Sequence, residues 1–350
     1  MRMIYQGPLW PGSTALQRAD AFRHWLGEEI IALDDRRRIE KPGRLGRVCR
    51  GALWRAGYPI DEFRSIERLT QAIAQHKPDV VFVDSNQFVS GRTIRRLRGV
   101  HQAKYVFYTP DDIVARHNRS RWLLSSFGEW DILFTTKTFN VPELAALGVK
   151  RPSLIGKAFD PSLHRPMSAR EVGPEYERFD AVFLGAFEPI RLEAVRALAR
   201  AGLSVLVGCR DWPRTDALPG VELRDLVFGH EYVRALHFGK IALGFLRRIN
   251  RDRITQRSME ITACGRPMLA DKSDEHDSHF VDGMEYCGFN DIDHLVSQAK
   301  ALLADPGRRR CIADAGRKRC IESGYSTLER ARQLLDVIEA CPGPKGCDRG

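Results

Sequence analysis

Short apolar runs alternate with helical patterns along nearly the whole chain, and this alternation limits the possible folds more than any other feature. The runs PDVVFVD, KYVFYT and WDILFTT are almost continuously apolar, as strands covered on both faces must be. Stretches such as IERLTQAIAQHK lie between them and carry the apolar spacing of amphipathic helices. The chain is therefore predicted to be an α/β protein with parallel sheets covered by helices on both faces.

The alternation stops once and then restarts. Residues 159–177, FDPSLHRPMSAREVGPEYE, hold three prolines and no apolar period, which is typical of a linker. A chain of 350 residues is also long enough for two domains. We expect an N-terminal Rossmann-like domain at 1–158, a linker at 159–178, a second Rossmann-like domain at 179–325, a helix at 326–340 packing back toward the first domain, and a tail at 341–350.

The composition is basic. The chain has 55 lysines and arginines against 45 acidic residues, a formal charge of +10, and a sequence pI of about 9.3. Such an excess usually accompanies an anionic partner, whether nucleic acid, an acidic membrane surface or a phosphorylated small molecule. The basic clusters are scattered and mostly lack interleaved aromatic residues, so each is interpreted as a solvated face. We expect no nucleic acid partner and leave open a peripheral contact with acidic membrane.

Several classes of protein are excluded by what the sequence lacks. No apolar run approaches the ~18 residues that cross a bilayer, so an integral membrane protein is not expected. The N-terminal MRMIYQGPLWPG has no apolar core or cleavage site, so no secretory signal is expected. The eight cysteines form no CxxC pair and are interpreted as reduced thiols, without a metal site. The prediction is a cytoplasmic protein, with peripheral association at the inner face of the membrane as an option.

Loops after the first-half strands are the first candidate sites, because ligands bind beyond the carboxyl ends of strands in such sheets. In GPLWPGST, Gly12 permits close approach of the backbone to a ligand, and Ser13 can cap the next helix. The loop is not GxGxxG, which disfavours a dinucleotide-dependent dehydrogenase. Asn86 follows a buried strand and can bind polar substrate groups or form an Asx turn.

A second candidate loop is YTPDD, which places Asp111 and Asp112 directly after a strand. Adjacent carboxylates can coordinate a metal, orient sugar hydroxyls or act as a base, and one of them can instead cap the following helix. His117 is interpreted as a partly buried helical histidine rather than a catalyst.

The second half holds a more specific pattern. Arg191 stands at the start of a helix, where a cation and free N–H groups together form an anion clamp. Thr255 can cap a later helix, and Arg257 and Glu260 lie three residues apart on one face of it. Arg257 could hold a phosphate while Glu260 accepts hydrogen bonds from a ribose diol. The alternative is a salt bridge between the two on a helix face.

The segment that contains Thr255, Arg257 and Glu260 is similar to a known protein family. The run from TQRSMEITACG to the basic helix GRRRC resembles the C-terminal domain of GT-B glycosyltransferases, particularly those of the spore maturation protein CgeB type. The matching motifs, in order, are Thr255, Arg257 and Glu260, then 263–265 (ACG), 283–285 (GME) and 303–306 (LADP). Upstream, FLGAFEPIR, the hinge-like ALGVKRPSLIGKAFDPSLHRP and YTPDD continue the resemblance over nearly the whole chain.

The resemblance implies a GT-B architecture, in which two Rossmann-like domains face each other across a cleft. It implies that the C-terminal half binds a nucleotide diphosphate sugar, UDP- or GDP-linked, with no tightly bound cofactor. The N-terminal half would bind a hydroxyl acceptor on a glycan, a lipid-linked molecule or a small molecule, and closure would assemble the site. Transfer is expected to retain the anomeric configuration and to need no metal.

The resemblance also assigns roles to residues. Glu260 looks like the glutamate that binds the donor ribose, and Arg257 and Arg191 look like diphosphate contacts. The remaining donor-side candidates, by the same resemblance, are Gly185, Cys264, Gly265, Thr255 and Lys157. Asp252 takes the place of an acidic residue eight positions before Glu260 that contacts the transferred sugar. Gly12, Ser13 and Asn86 are candidates on the acceptor side.

Two departures from the wider family pattern affect these roles. Ala186 replaces an arginine after the loop glycine, so Arg257 or Lys157 would supply the second positive charge. The cleft loop lacks a histidine, which Asp111 or Asp112 would replace unless the mechanism differs. Two other functions remain open at this point: a sugar-nucleotide epimerase, and a non-catalytic scaffold that binds a sugar nucleotide or a carbohydrate.

Overall fold

The computed structural model describes residues 1–35, 51–209, 212, 219–225 and 227–342. The chain divides into two compact units. Unit 1 comprises Met1–Gly156 together with Leu328–Gly350, and unit 2 comprises Lys157–Thr327. Each unit is built on one six-stranded, wholly parallel sheet with helices on both faces, as the alternating pattern predicts.

The sheet of unit 1 has the order β2-β1-β3-β4-β5-β6, the arrangement of a doubly wound fold. Its strands are β1 Met3–Gly7, β2 Ile30–Asp34, β3 Val80–Asp84, β4 Lys104–Thr109, β5 Ile132–Thr135 and β6 Pro152–Leu154. The helices of the unit are α1 Thr14–Leu26, α2 Ser65–His76, α3 Gly91–Val100, α4 Arg121–Ser126, α5 Asn140–Ala146 and, from the C-terminal segment, α13 Thr327–Ala340. Residues 51–56 are also helical.

Two apolar layers cover this sheet because side chains alternate along each strand. Val81 and Val83 of β3 face the layer that contains α2, α3 and α4. Phe82 faces the opposite layer, which contains α1 and α13. The C-terminal helix α13 thus belongs to the core of unit 1, and Lys104 Nζ donates to the carbonyl oxygen of Ile338 at 2.8 Å.

The sheet of unit 2 has the order β12-β11-β10-β7-β8-β9. Its strands are β7 Phe179–Leu184, β8 Val205–Gly208, β9 Val221–Arg224, β10 Gly239–Gly244, β11 Met268–Asp271 and β12 Cys287–Phe289. Its helices are α6 Ala169–Val172, α7 Pro189–Arg200, α8 His230–Leu236, α9 Gln256–Ala263, α10 Asp274–His279, α11 Ile292–Ala304 and α12 Pro306–Glu322. The edge strands β9 and β12 are not anticipated from the sequence, because VELR and CGF do not form the apolar run that marks a strand such as β5.

The segment expected to be a linker is packed against unit 2. Phe159, Met167 and Val172 are buried in its core. Ser168 and Glu171 form a capping box that begins the single turn of α6. Prolines remove the apolar period from this stretch, so its packing leaves no trace in the sequence.

The described ranges show no helix with the length and apolarity needed to span a membrane. They also contain no group of three or more His, Cys, Asp or Glu side chains arranged to hold a metal ion. The six cysteines in the described part are free thiols.

Candidate functional site

The loop between β7 and α7 is the centre of the candidate site in unit 2. Gly185 follows β7 directly, and its N–H donates to the carbonyl oxygen of Gly208 at 3.0 Å. A Cβ atom at Gly185 would lie 2.7 Å from the ring of Phe183 and 3.1 Å from the guanidinium of Arg257. A side chain here would force the buried Phe183 ring to move and would press on the arginine that lies against the loop, so glycine fits best.

Arg257 reaches this loop from the first turn of α9. Thr255 caps that helix, since its hydroxyl accepts from Ser258 N–H at 3.3 Å. The guanidinium of Arg257 lies 5.7 Å from the centroid of the Phe183 ring. Its Nε is buried and has no hydrogen-bond partner among the described residues. Arg257 is therefore a half-buried cation at the end of a strand, with a donor still to be satisfied.

Arg191 lies beside Arg257 but is committed to backbone carbonyls. Its terminal nitrogens donate to Ala186 O at 2.9 Å and to Leu246 O at 3.1 Å. Burial, together with the charge of neighbouring Arg257, lowers the pKa of Arg191. Arg191 thus joins the β7 loop to the end of β10, and only its buried Nε lacks a hydrogen-bond partner within the described ranges.

Glu260 lies on the next turn of α9. Tyr232 of α8 donates its hydroxyl to one carboxylate oxygen of Glu260 at 2.7 Å. His164 Nε2 lies 3.9 Å from the other oxygen. Because His164 Nδ1 accepts from Asp160 N–H at 2.9 Å, the proton of the neutral ring is on Nε2. Burial and the neighbouring Glu260 raise the pKa of Tyr232, so its hydroxyl stays a donor.

The alternative of a salt bridge between Arg257 and Glu260 is not found among the contacts of the described residues. Glu260 instead has Tyr232 and His164 as neighbours, and sequence reasoning missed both. His164 lies in the supposed linker and Tyr232 on a helix with no motif, so only their packing reveals them.

A cavity of about 390 Å³ adjoins Arg191 at the carboxyl ends of β10, β11 and β12. Phe245 and Phe289 supply its apolar wall, and Arg248 and Asp271 supply charge. Burial raises the pKa of Asp271, although its carboxylate accepts from Leu246 N–H at 2.7 Å. The volume is within the range of small-molecule sites, at the sheet edge where such ligands bind.

The other donor-side candidates differ in burial and in their place in unit 2. Cys264 is fully buried, and burial raises the pKa of its thiol, so it acts as a core residue. Gly265 has φ +64° and turns the chain from α9 toward β11. Lys157 is buried at the beginning of unit 2. Asp252 precedes α9 and accepts from the side-chain amide of Asn250 at 2.9 Å.

The acceptor-side candidates lie after β1 and β3 in unit 1, where several have structural partners. Gly12 has φ +88°, and Ser13 caps α1 by accepting from Leu16 N–H at 3.1 Å. Asn86 is buried, and its carbonyl oxygen accepts from Phe88 N–H at 2.8 Å, which forms the Asx turn. Its amide donates to Gln6 and to Ser65, both at 3.2 Å.

The two adjacent aspartates after β4 differ in environment. Asp112 is buried, and one oxygen accepts from Val114 N–H, Ala115 N–H and the amide of Asn140. These bonds close a turn rather than cap a helix, because residues 113–115 are not helical and the next helical turn, Arg116–Asn118, has Ala115 at its N-cap. Asp111 is exposed, and so is His117, which differs from the expected partial burial of that histidine.

A buried charged network under the same edge of unit 1 was not anticipated. Arg18 donates through Nε and a terminal nitrogen to one oxygen of Asp84, at 2.9 and 2.6 Å. The Tyr5 hydroxyl lies 2.5 Å from that oxygen, and burial and Asp84 raise the pKa of Tyr5. Sixty-six residues separate Arg18 from Asp84, so no local pattern indicates the pair.

Comparison with known proteins finds one family model and several solved structures that are similar to this chain. Residues 191–336 match the family model described as "Glycosyl transferase-like". None of the curated proteins matches the chain. The sucrose-phosphate synthase of Thermosynechococcus elongatus has a similar solved structure, with 14% identity, a TM-score of 0.69, and coverage of 97% of this chain and 98% of that one.

Two further solved structures are similar. Anabaena HepE in complex with UDP and glucose has 10% identity and a TM-score of 0.66, covering 97% of this chain and 100% of that one. A putative UDP-N-acetylglucosamine 2-epimerase from Listeria monocytogenes has 12% identity and a TM-score of 0.60, covering 97% and 96%. At such identities the likeness concerns the fold. The fold is GT-B, as expected, and residues 191–336 are similar to a glycosyl transferase-like family model. The narrower CgeB type stays a prediction.

Proposed function

We propose that the chain is a glycosyltransferase that moves a sugar from a nucleotide diphosphate donor to a hydroxyl acceptor. The observation that carries the proposal is the cation of Arg257, which lies against the Gly185 loop with an unsatisfied buried Nε, one helical turn from Glu260. Both residues lie in the segment that matches the glycosyl transferase-like model.

Breaking the bond between a sugar and a nucleotide diphosphate leaves growing negative charge on phosphate oxygen. A fixed guanidinium stabilises that charge, and so does the positive end of the dipole of the 12-residue helix α7. In this proposal Arg257 contacts the diphosphate directly. Arg191 acts as a positioning residue, because its bonds to Ala186 O and Leu246 O hold the loop beneath the phosphates. Because arginine and backbone supply the positive charge, we propose transfer without a metal.

Glu260 would bind the ribose of the donor. A carboxylate can accept hydrogen bonds from both hydroxyls of a diol, and Tyr232 and His164 orient it from the protein side. We propose a UDP- or GDP-linked donor. The complex of the structurally similar Anabaena HepE with UDP and glucose supports UDP as the first nucleotide to test.

The acceptor would be a hydroxyl compound, on a glycan, a lipid or a small molecule, with retention of configuration. Asp111 and Asp252 are the aspartates proposed to act at the reacting atoms, Asp111 because it is exposed after β4. Asp112 is the weaker choice, because three donors already hold its carboxylate.

The test begins with donor identity. Thermal-shift measurements with UDP, GDP, dTDP and CDP and their sugars are expected to select one nucleotide, because a ligand bound to the native state raises its Tm. The selected donor is then incubated with an acceptor library, and products are identified by mass spectrometry and by NMR of the new anomeric bond. Transfer should persist in EDTA.

The similarity to a putative epimerase favours one specific alternative. An epimerase would convert the donor without any acceptor, so a changed sugar nucleotide in the acceptor-free reaction would replace the proposed activity. Nucleotide binding with no change of donor across the library would identify a non-catalytic scaffold instead.

A further inference from the structure

An exposed apolar patch in unit 1 contains none of the candidate site residues described above. It consists of five large side chains, which are 36% to 52% exposed: Leu53, Trp54, Tyr58, Ile60 and Trp122. We call it the Trp54–Trp122 patch. Single exposed apolar residues are ordinary, but a contiguous group usually marks an interaction site.

The patch is one surface although it comes from two segments. The backbone N–H of Arg121 donates to Gly57 O at 2.7 Å, which joins α4 to the turn after residues 51–56. The rings of Tyr58 and Trp122 pack edge to face, with centroids 5.0 Å apart. The turn is itself closed by Tyr58 N–H, which donates to Leu53 O at 2.9 Å.

Exposed basic side chains lie on the segments that form the patch and on the neighbouring helix. The guanidinium of Arg121 lies 5.4 Å from the Tyr58 ring centroid, and Arg55 is exposed between Trp54 and Gly57 in sequence. Helix α3 adjoins α4, since Gly91 N–H donates to Ser125 Oγ at 3.2 Å, and its Arg92 and Arg96 are exposed. In sequence, residues 36–50 directly before the patch contain seven lysines and arginines and one glutamate.

We propose that unit 1 docks on an anionic lipid bilayer through the Trp54–Trp122 patch. Tryptophan and tyrosine favour the headgroup level of a bilayer, where the apolar ring and the polar tip are both satisfied. Arginines around them attract anionic headgroups, and this combination distinguishes a lipid surface from a purely apolar partner. The proposal does not depend on the donor or on turnover.

The experiment is cosedimentation of the full chain with vesicles of phosphatidylcholine alone or with 30 mol% phosphatidylglycerol. Binding is expected only to the anionic vesicles, weakening as salt screens the charges. R55S/R121S should lower the partition coefficient about 30-fold, since each basic residue near such a surface contributes ~1 kcal/mol. W54S/W122S should lower it about tenfold or more.

Matched controls remove side chains of the same kind from unit 2. Met284 and Ile321 are 65% and 51% exposed, so M284S/I321S is the apolar control, and R200S/R310S is the charge control. Both should bind like the wild type. If W54S/W122S does not fold because it loses the Tyr58–Trp122 contact, the single variant Trp54→Ser, which keeps that contact, is tested in its place. The Tm of each variant is measured to show that it is folded.

Depth measurements complete the test. With lipids brominated on the acyl chain, fluorescence of the wild type should be quenched more than that of W54S/W122S. Equal binding to neutral vesicles, no binding to either vesicle, or equal losses in patch and control variants would overturn the proposal. So would light scattering that shows a dimer dispersed by W54S/W122S, which would assign the patch to a second copy of the chain.

Discussion

Arg257 and Arg191 both lie within 5.7 Å of the Phe183 ring centroid, yet their substitution by alanine should affect different properties, turnover for Arg257 and folding stability for Arg191. The proposed contact of Arg257 with the departing diphosphate forms in the transition state. Removing one such donor lowers kcat about 10²- to 10³-fold, or ~2.7–4 kcal/mol. The folded protein loses little, because the ring contact of Arg257 with Phe183 contributes only ~0.5–1 kcal/mol and its Nε has no partner to lose.

Arg191→Ala should instead destabilise unit 2. It leaves Ala186 O and Leu246 O without a donor and removes the partner of Glu188, which lies 3.4 Å from the guanidinium. Breaking a buried charged pair costs ~3–5 kcal/mol. For a unit of this size that is a Tm loss of about 6 to 20 °C, against at most about 4 °C for Arg257→Ala.

The assay compares kcat, KM and Tm for wild type, Arg257→Ala, Arg257→Lys and Arg191→Ala, with the exposed Arg200→Ala as a control. Arg257→Lys should have a kcat between those of Arg257→Ala and wild type. Lysine keeps the positive charge but lacks the planar set of donors of arginine. Turnover of Arg257→Ala near that of wild type would refute its contact with the diphosphate. A Tm of Arg191→Ala within about 2 °C of wild type would refute its positioning role.

Three further predictions concern the same unit. Gly185→Ala should abolish nucleotide-induced stabilisation in a thermal-shift assay, because the added methyl group would meet Phe183 at 2.7 Å and Arg257 at 3.1 Å; an unchanged shift would contradict the close approach. Measured by calorimetry, Tyr232→Phe should weaken nucleotide binding about 2- to 10-fold and Glu260→Gln about 10- to 100-fold. The second loss is larger because hydrogen bonds to a charged group are stronger than those between neutral groups. Equal effects of the two variants would argue against a ribose contact of Glu260. Burial lowers the pKa of His237 and of His276 to about 4. Between about pH 6.5 and pH 4 the unfolded chain therefore binds more protons than the folded chain, and the free energy of unfolding should fall as pH falls through that window. The expected loss at pH 5 is about 1 to 2 kcal/mol for each histidine. Urea unfolding at pH 7 and pH 5 measures this loss, and His276→Gln should reduce it; a loss equal to that of wild type would exclude His276 as a source.

Local patterns in the sequence predict most of the fold. The buried strands β3, β4 and β7 are recognisable as continuous apolar runs, and helices such as α2 show a helical apolar period. The alternation of the two predicts a parallel α/β fold. Spacing along one helix also explains why Arg257 and Glu260 could be assigned to the same site from the sequence. Residues three apart on a helix lie on the same face of it.

What only the tertiary structure decided involves residues far apart in the chain. Ninety-six residues separate His164 from Glu260, and residues 159–178 pack into unit 2 although their sequence shows no period. Arg191 donates to the carbonyl oxygen of Leu246, 55 residues further along the chain. Asp111 and Asp112 are adjacent residues of the same type, so the sequence does not distinguish them. In the structure Asp111 is exposed, whereas the carboxylate of Asp112 accepts hydrogen bonds from three donors. Burial and hydrogen-bond partners depend on which distant segments pack together, and a local pattern carries no record of that packing.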